Sequence, residues 1–324
     1  MSRAGDPGGA AAPGPRYATI DVGTNTVLLL VAERRANGFR AVVERAEITR
    51  LGRGVDRTGR LDEQAIRDTA AVLARFADEA RALGARAIAC VATSAARDAR
   101  NGEEFFDAAR ASASLVPEVI PGDEEARLVH ASAWRDFGAP GRGDLVVVDV
   151  GGGSTEICAG DGPFPSWRES VQIGAVRLTE RVGPPDPPDA RSLADLRRRA
   201  AEALQAGATP GAPRAGAGWK LVGVAGTVTT LAAVGQALPV YDSEAVHGSE
   251  LGARELEELY ARLGRCTIAE RQRLPGMEPK RADVIVAGAA IVLEVMALLG
   301  FDRLTVSDRG VRWGLLHERF GGEG

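Results

Sequence analysis

The hydrophobic pattern becomes regular after an N-terminal tail rich in Gly, Ala and Pro. Apolar residues dominate 17–20 and 27–32, and the polar segment Asp21-Val22-Gly23-Thr24-Asn25-Thr26 lies between them. Two apolar runs joined by a glycine turn predict a strand, a turn and a returning strand. Helical spacing of the apolar residues over 61–83 predicts an amphipathic helix. The other elements predicted for this first α/β unit are strands over 39–48, 86–92 and 116–120 and a helix over 124–137.

The same pattern starts again at residue 145. An apolar strand over 145–150 leads into Gly151-Gly152-Gly153-Ser154-Thr155, and 156–159 continues as the returning strand. The further elements predicted here are strands over 166–173, 221–225 and 304–306 and helices over 192–204, 282–301 and from about 310. We interpret the repeat as an internal duplication. It predicts two α/β lobes with a ligand site in the cleft between them.

The length sets the expected number of domains. A chain of 324 residues, at about 150 residues per domain, predicts two domains. We expect a disordered tail over 1–15, an N-terminal lobe over 16–127 and a C-terminal lobe over 128–300. The C-terminal helix, about 301–324, is expected to pack back on the N-terminal lobe.

Charge and cysteine content exclude several classes of protein. The net charge of −4 predicts no broad nucleic-acid-binding surface. Three scattered cysteines form no disulfide framework, and the tail is no signal peptide, so a cytoplasmic location is expected. The most apolar segment, 282–301, is interrupted by Asp283 and Glu294, and the ten residues between them are too few to cross a membrane.

The two glycine loops carry the clearest chemistry. Asp21 and Asp149 each end an apolar strand, where a carboxylate is costly unless something compensates it. Neighbouring glycines let backbone N–H groups approach an anion, and Thr24, Thr26, Ser154 and Thr155 add hydroxyl groups. Facing each other, the loops suit a phosphate chain and one Mg²⁺, with both aspartates as metal ligands. The alternative is that both loops are ordinary hairpin turns. One such loop alone would be compatible with this alternative, but the occurrence of two matching loops makes it less favoured.

Three further segments are weaker candidates. Gly226-Thr227 joins a strand to a helix. Such a junction is compatible with phosphate binding at the helix start and, equally well, with close packing of the strand against the helix. Glu124 and Glu125 lie in a first helical turn, where acidic residues commonly interact with the helix dipole. Their position between the lobes favours one of them as a base acting on water. Arg97 follows a buried strand and is a candidate to stabilise the charge on a phosphoryl group during transfer. Arg100 is a second candidate for this role. The alternative is that Arg97 is an ordinary surface arginine.

As an ordered set, these motifs resemble the exopolyphosphatase / guanosine pentaphosphate phosphohydrolase family (Ppx/GppA phosphatases) of the acetate and sugar kinase, Hsp70 and actin superfamily. The resemblance runs from Tyr17 onward. The matching segments are 20–26, 91–97, 118–127, 147–156, 174–178, 222–227, 246–248, 271–287 and 307–315.

The resemblance implies an α/β fold of two ribonuclease-H-like lobes (the actin-like ATPase fold) with catalysis in the interdomain cleft. It implies that Glu125 is the general base, that Arg97 faces phosphate, and that Asp149 with Gly151–Ser154 surrounds metal and phosphate. Asp21, Gly23, Thr24 and Asn25 correspond to the first phosphate loop. Longer relatives add a C-terminal helical domain, and this sequence stops soon after Glu318, so extended polyphosphate binding by such a domain is not expected.

The predicted activity is Mg²⁺-assisted release of terminal orthophosphate from inorganic polyphosphate, guanosine pentaphosphate or both. No residue decides between these substrates. No nucleic-acid or membrane partner is expected, and because family members often dimerise, a homodimer is a partner to test. The alternatives are a small-molecule kinase, an actin-like filament ATPase and a sensor that binds nucleotide without hydrolysis.

Overall fold

The computed structural model describes residues 14–138, 144–207, 213–216 and 218–322. The predicted disordered tail lies outside the described residues, apart from Gly14 and Pro15.

The first sheet has five strands in the order β3-β2-β1-β4-β5. Its first three strands are antiparallel neighbours, and β4 and β5 run parallel to β1. The strands are β1 Arg16–Val22, β2 Thr26–Arg35, β3 Gly38–Ile48, β4 Ala85–Ala92 and β5 Glu118–Val119. The helices of this half are α1 Val55–Thr58, α2 Glu63–Ala82, α3 Ser94–Asp98, α4 Gly102–Ala113 and α5 Gly122–Phe137.

The second sheet has six strands in the order β10-β11-β9-β6-β7-β8. They are β6 Leu145–Val150, β7 Thr155–Gly160, β8 Trp167–Val171, β9 Lys220–Val224, β10 Glu250–Gly252 and β11 Arg303–Val306. The helices are α6 Ala175–Val182, α7 Ala190–Gly207, α8 Ala225–Gly235, α9 Ser243–Val246, α10 Ala253–Arg265, α11 Ile268–Arg271, α12 Ile285–Leu299 and α13 Val311–Phe320, with a 3-10 helix at Pro279–Arg281.

The predicted duplication is present in the strand order. The two sheets share one arrangement, three antiparallel strands followed by two parallel ones. The strands concerned are β3-β2-β1-β4-β5 in the first sheet and, in the same order, β8-β7-β6-β9-β11 in the second. This is the ribonuclease-H-like order. The strand β10 is an addition at the edge of the second sheet.

The last helix of each half packs against the other half. The helix α5 follows the first sheet but packs on β6, β7 and β8, whereas α13 follows the second sheet but packs on β1 and β2. The two helices also contact each other. The start of α5 is therefore held between the two sheets. The domain boundaries at 127 and 300 stay predictions.

Local sequence explains where the main helices form. Asp62 begins α2 because its side chain accepts hydrogen bonds from the N–H groups of Gln64 and Ala65, and Ile66, Leu73 and Phe76 bury one face. The helix α12 is buried along almost its whole length, as its apolar sequence predicts. Among the described residues, no helix is long and apolar enough to cross a membrane.

Candidate active site

The two predicted phosphate loops have the same turn and face each other. The N–H of Gly23 donates to the carbonyl of Thr26 at 2.9 Å, and the N–H of Gly151 donates to the carbonyl of Ser154 at 3.1 Å. A Cβ on Gly152 would lie 3.2 Å from Cβ of Thr24, and one on Gly153 would lie 2.6 Å from Oγ of Ser94. Glycine is therefore needed in the second loop for the loops to approach this closely.

A cavity of about 780 Å³ opens between the loops. Most of the predicted site residues line it. They are Asp21, Gly23, Thr24, Asn25, Thr26, Glu125, Asp149, Gly151, Gly152, Gly153, Ser154, Gly226 and Thr227. Arg97, Glu124 and Thr155 do not line it.

Four buried carboxyl groups interact with one another: Asp21, Glu125 and Asp149 line the cavity, and Glu156 lies beside them without lining it. Burial raises the pKa of Asp21 to about 7, with Arg312 opposing and Glu156 adding to the rise. Burial also raises the pKa of Glu156 to about 7 against hydrogen bonds from Ser170 and Ser154. Burial and the neighbouring carboxylates raise the pKa of Glu125 and of Asp149 well above their ordinary values. Such a concentration of negative charge favours binding of a cation.

Glu156 is the site residue that the sequence reasoning missed. It pairs directly with Asp149 across the β6–β7 hairpin, so both side chains leave the same face of the sheet. Its Oε1 accepts a hydrogen bond from Oγ of Ser170 at 2.7 Å. Counting outward from the predicted turn, 151–155, would pair residue 150 with residue 156. In the structure the returning strand starts one residue earlier, at Thr155, and this shift pairs Asp149 with Glu156.

The structure separates the two candidate bases. Glu125 is buried and lines the cavity, and its Oε2 has no hydrogen-bond partner within the described chain. Glu124 instead accepts two hydrogen bonds from the guanidinium group of Arg127 at 2.8 and 2.5 Å, and Arg127 also pairs with Glu318. The placement favours Glu125 and gives Glu124 a structural ion pair.

Arg97 lies behind Glu125. Its Nη1 donates to the carbonyl of Ile120 at 2.9 Å and lies 3.7 Å from Oε2 of Glu125. Its Nη2 is buried and has no partner among the described residues. The competitor Arg100 donates to the carbonyl of Thr58 at 2.9 Å, away from the carboxyl cluster.

Thr155 occupies a different environment from the one expected. Its hydroxyl donates to the carbonyl of Ile173 at 2.6 Å, and the side chain is fully buried. The hydroxyl therefore fixes the loop to the segment before α6 and does not face the cavity.

Four cationic residues that line the cavity were not predicted as site residues: Arg45, Lys280, Arg281 and Arg312. Arg281 and Arg312 make contacts between distant parts of the chain. Arg281 donates from Nη2 to Oγ1 of Thr26 at 3.1 Å, and a Cβ on Gly226 would lie 2.1 Å from that same nitrogen. Gly226 thus makes room for an arginine of its own lobe that reaches Thr26 in the opposite lobe. Arg312, at the start of α13, pairs with Glu44 at 2.6 Å. Neither contact is visible in local sequence, because the partners are far apart along the chain.

The carboxylates suit Mg²⁺ only in combination with water or substrate. In the described ranges, no three Asp, Glu, His or Cys side chains are placed to hold a metal ion by themselves. Asp21 Oδ1, Glu125 Oε2 and Glu156 Oε2 are buried without partners among those residues. Mg²⁺ usually takes one or two carboxylates and completes its shell with waters and phosphate oxygens, so the donor set fits this ion.

The fold and the cleft together define a two-lobed α/β protein of the actin-like type with a cavity between two facing glycine loops. Residues 30–321 match the model of the Ppx/GppA phosphatase family. The chain belongs to this family, which confirms the resemblance seen in the motifs, and it is a phosphatase.

Individual relatives agree with this assignment. The chain is 39% identical over 313 residues to exopolyphosphatase 2 of Mycobacterium tuberculosis, covering 93% of this chain and 97% of the relative. A crystal structure of the Aquifex aeolicus member of the family is 33% identical with a TM-score of 0.79, covering 96% and 99% of the two chains. An exopolyphosphatase structure from Cytophaga hutchinsonii has a TM-score of 0.84 at 25% identity, covering 95% and 98%. The predicted actin-like two-lobed fold is confirmed.

Proposed function

We propose that the protein is a phosphohydrolase that releases terminal orthophosphate from a phosphoanhydride chain, either inorganic polyphosphate or guanosine pentaphosphate. The observation that carries the proposal is the Glu125 carboxyl group, buried beside two facing glycine loops with one oxygen unpartnered in the described chain. The names of the exopolyphosphatase relatives favour polyphosphate.

In this mechanism Glu125 accepts the proton of an attacking water. Its raised pKa makes the carboxylate a better base than an exposed glutamate at neutral pH. The water oxygen attacks the terminal phosphorus in line, the bond to the bridging oxygen breaks, and the shortened chain leaves. The proton moves to Glu125 and then to solvent. Arg97 was expected to face phosphate, but it does not line the cavity; its Nη1 lies 3.7 Å from Oε2 of Glu125, so we propose that it orients the Glu125 carboxylate rather than contacting the phosphoryl group.

The remaining residues bind and orient the substrate. The loops Gly23–Thr26 and Gly151–Ser154, with Gly226 and Thr227, are proposed to contact its phosphates. Mg²⁺, held by Asp149 and Asp21 beside Glu156, would neutralise phosphate oxygens. We also propose a cytoplasmic location, which the three free thiols support.

The test is phosphate release with Mg²⁺ from long-chain polyphosphate and from guanosine pentaphosphate, measured in parallel. The Glu125→Gln protein serves as the blank. Release that disappears in the blank supports the proposal, and the faster substrate identifies the enzyme. No release from either, together with phosphate transfer from ATP to glucose or acetate or polymerisation on ATP addition, would support a kinase or a filament protein instead.

A further inference from the structure

Arg177 on α6 holds part of the second glycine loop. The first N–H groups of α6, those of Ala175 and Val176, donate to the carbonyls of Gly151 and Gly152, each at 2.9 Å. The side chain of Arg177 continues this series, because its Nε donates to the carbonyl of Gly153 at 2.7 Å. Three consecutive loop carbonyls therefore accept hydrogen bonds from one helix start.

Gly174 allows this close approach. A Cβ at that position would lie 2.4 Å from the carbonyl carbon of Gly152, so any larger residue would push α6 away from the loop. The segment 174–178 is one of the motifs shared with the family, yet the mechanism above gives it no role.

The direction of the three carbonyls fixes the direction of the neighbouring N–H groups. In a planar trans peptide the C=O of one residue is antiparallel to the N–H of the next. The N–H groups of Gly152, Gly153 and Ser154 therefore point away from α6. These same residues line the cavity. Successive N–H groups held in this way are suited to bind an anion.

The same guanidinium group also spans the cleft. Its Nη1 lies 2.6 Å from Oδ1 of Asp56 on α1, and its Nη2 lies 2.8 Å from Oδ2 of Asp98 on α3. The other oxygen of Asp98 lies 3.7 Å from Nε of Arg97. The Arg177 side chain is only 13% exposed. It is thus linked both to the second loop and, through Asp98, to the helix that carries Arg97.

We propose that Arg177 is a positioning residue for the reaction. It directs the N–H groups of the second loop toward the substrate phosphate and sets that loop against α3, without touching substrate itself. The role in catalysis rests on the proposed function. The role in ordering the loop does not.

The matched pair of variants is Arg177→Gln and Arg181→Gln. Arg181 lies one turn further along α6 and pairs with the same Asp56 at 2.8 Å. The first readout is amide hydrogen exchange of the peptide 174–178 in the substrate-free protein. The second is kcat and KM for tripolyphosphate with Mg²⁺.

We expect Arg177→Gln to speed exchange of 174–178 about tenfold, to raise KM and to lower kcat/KM about 10- to 100-fold. Arg181→Gln should stay within about twofold of the wild type in both readouts. The change in KM matters because a variant that is merely less folded loses apparent kcat at unchanged KM. Arg177→Lys keeps a donor for Gly153 and should recover most of the exchange protection.

Equal behaviour of Arg177→Gln and Arg181→Gln in both readouts would overturn the proposal. If Arg177→Gln does not fold, the comparison is made with Arg177→Met, which keeps the buried aliphatic chain but removes the donor to Gly153; unchanged exchange and an unchanged KM in that variant would count against the proposal. If the wild type releases no phosphate, the proposed function fails, and the exchange readout alone decides whether Arg177 orders the loop.

Discussion

At the scale of single residues, the carboxyl cluster is the most costly feature of the protein. Asp21, Glu125, Asp149 and Glu156 are buried and repel one another. Buried like charges persist in a protein when a cation or a function requires them. The cost should therefore be measurable in the metal-free protein.

Replacing Glu156 by Gln is expected to stabilise the metal-free protein at pH 8 by about 2 kcal/mol, because it removes a buried negative charge whose pKa is raised to about 7. The amide can still contact Ser170. The same change should raise the Mg²⁺ concentration for half-maximal phosphate release about tenfold. Urea denaturation with EDTA and a Mg²⁺ titration of activity measure the two effects. A loss of stability with an unchanged Mg²⁺ requirement would contradict this role.

The sequence predicted which residues lie at the candidate site better than it predicted the contacts that their side chains make. The glycine and aspartate positions of both loops line the cavity as expected, because strand, turn and strand are local patterns. The first-turn geometry showed that only one of Glu124 and Glu125 faces the cleft, but the ion pair of Glu124 with Arg127 needed the structure. Arg281 was missed because its partner Thr26 lies in the other lobe.

At the scale of elements, the close contact of the two loops should be sensitive to added volume. Gly153→Ala would place a methyl group 2.8 Å from Oγ1 of Thr24 and 2.6 Å from Oγ of Ser94, so these two hydroxyl groups or one of the loops must move. A displacement of about 1 Å at a reacting group can cost about 100-fold in rate, and we expect a fall of that order in kcat/KM. Gly162→Ala is the control, since nothing lies within 4 Å of its Cβ position. Equal activity of the two variants would show that the loops do not need this contact.

The elements that the sequence predicted least well are those defined by tertiary contacts. The strand expected over 116–120 forms only at Glu118–Val119, because it pairs with β4 over two residues. Asn101 directly precedes α4 and is of a residue type that often caps helices, but its side chain gives no capping hydrogen bond. It exchanges hydrogen bonds with the backbone of Leu61 instead. Helical spacing of the apolar residues located α2, and a nearly continuous apolar run located α12.

At the scale of the whole molecule, the exchanged helices α5 and α13 place Glu125 and Arg312 in one cavity. Both halves of the protein therefore contribute residues to the carboxyl cluster. The pH dependence of the free energy of unfolding should report on the protonation of this cluster.

In EDTA, the free energy of unfolding should fall as pH rises from about 4 to above 7. The folded protein keeps protons on Asp21 and Glu156, both with pKa values of about 7, whereas the unfolded chain loses them near pH 4. The stability that protonation provides is fully present below the pKa values of the unfolded chain and is lost as the pH rises through the folded-state values, by roughly 3 to 4 kcal/mol for each group. Urea denaturation at pH 5 and pH 8 measures the loss, and saturating Mg²⁺ should reduce it. A profile unaffected by Mg²⁺ would argue against a metal at these carboxylates.

The most direct test of the proposed mechanism compares Glu125→Gln with its neighbour Glu124→Gln. The measurement is single-turnover phosphate release from tripolyphosphate with Mg²⁺, together with direct binding of the same compound. We predict that Glu125→Gln lowers the rate about 1,000-fold and leaves the Kd within about threefold, while Glu124→Gln stays within about threefold in both. A rate for Glu125→Gln within tenfold of the wild type, or equal losses in the two variants, would contradict a mechanism in which Glu125 activates the attacking water.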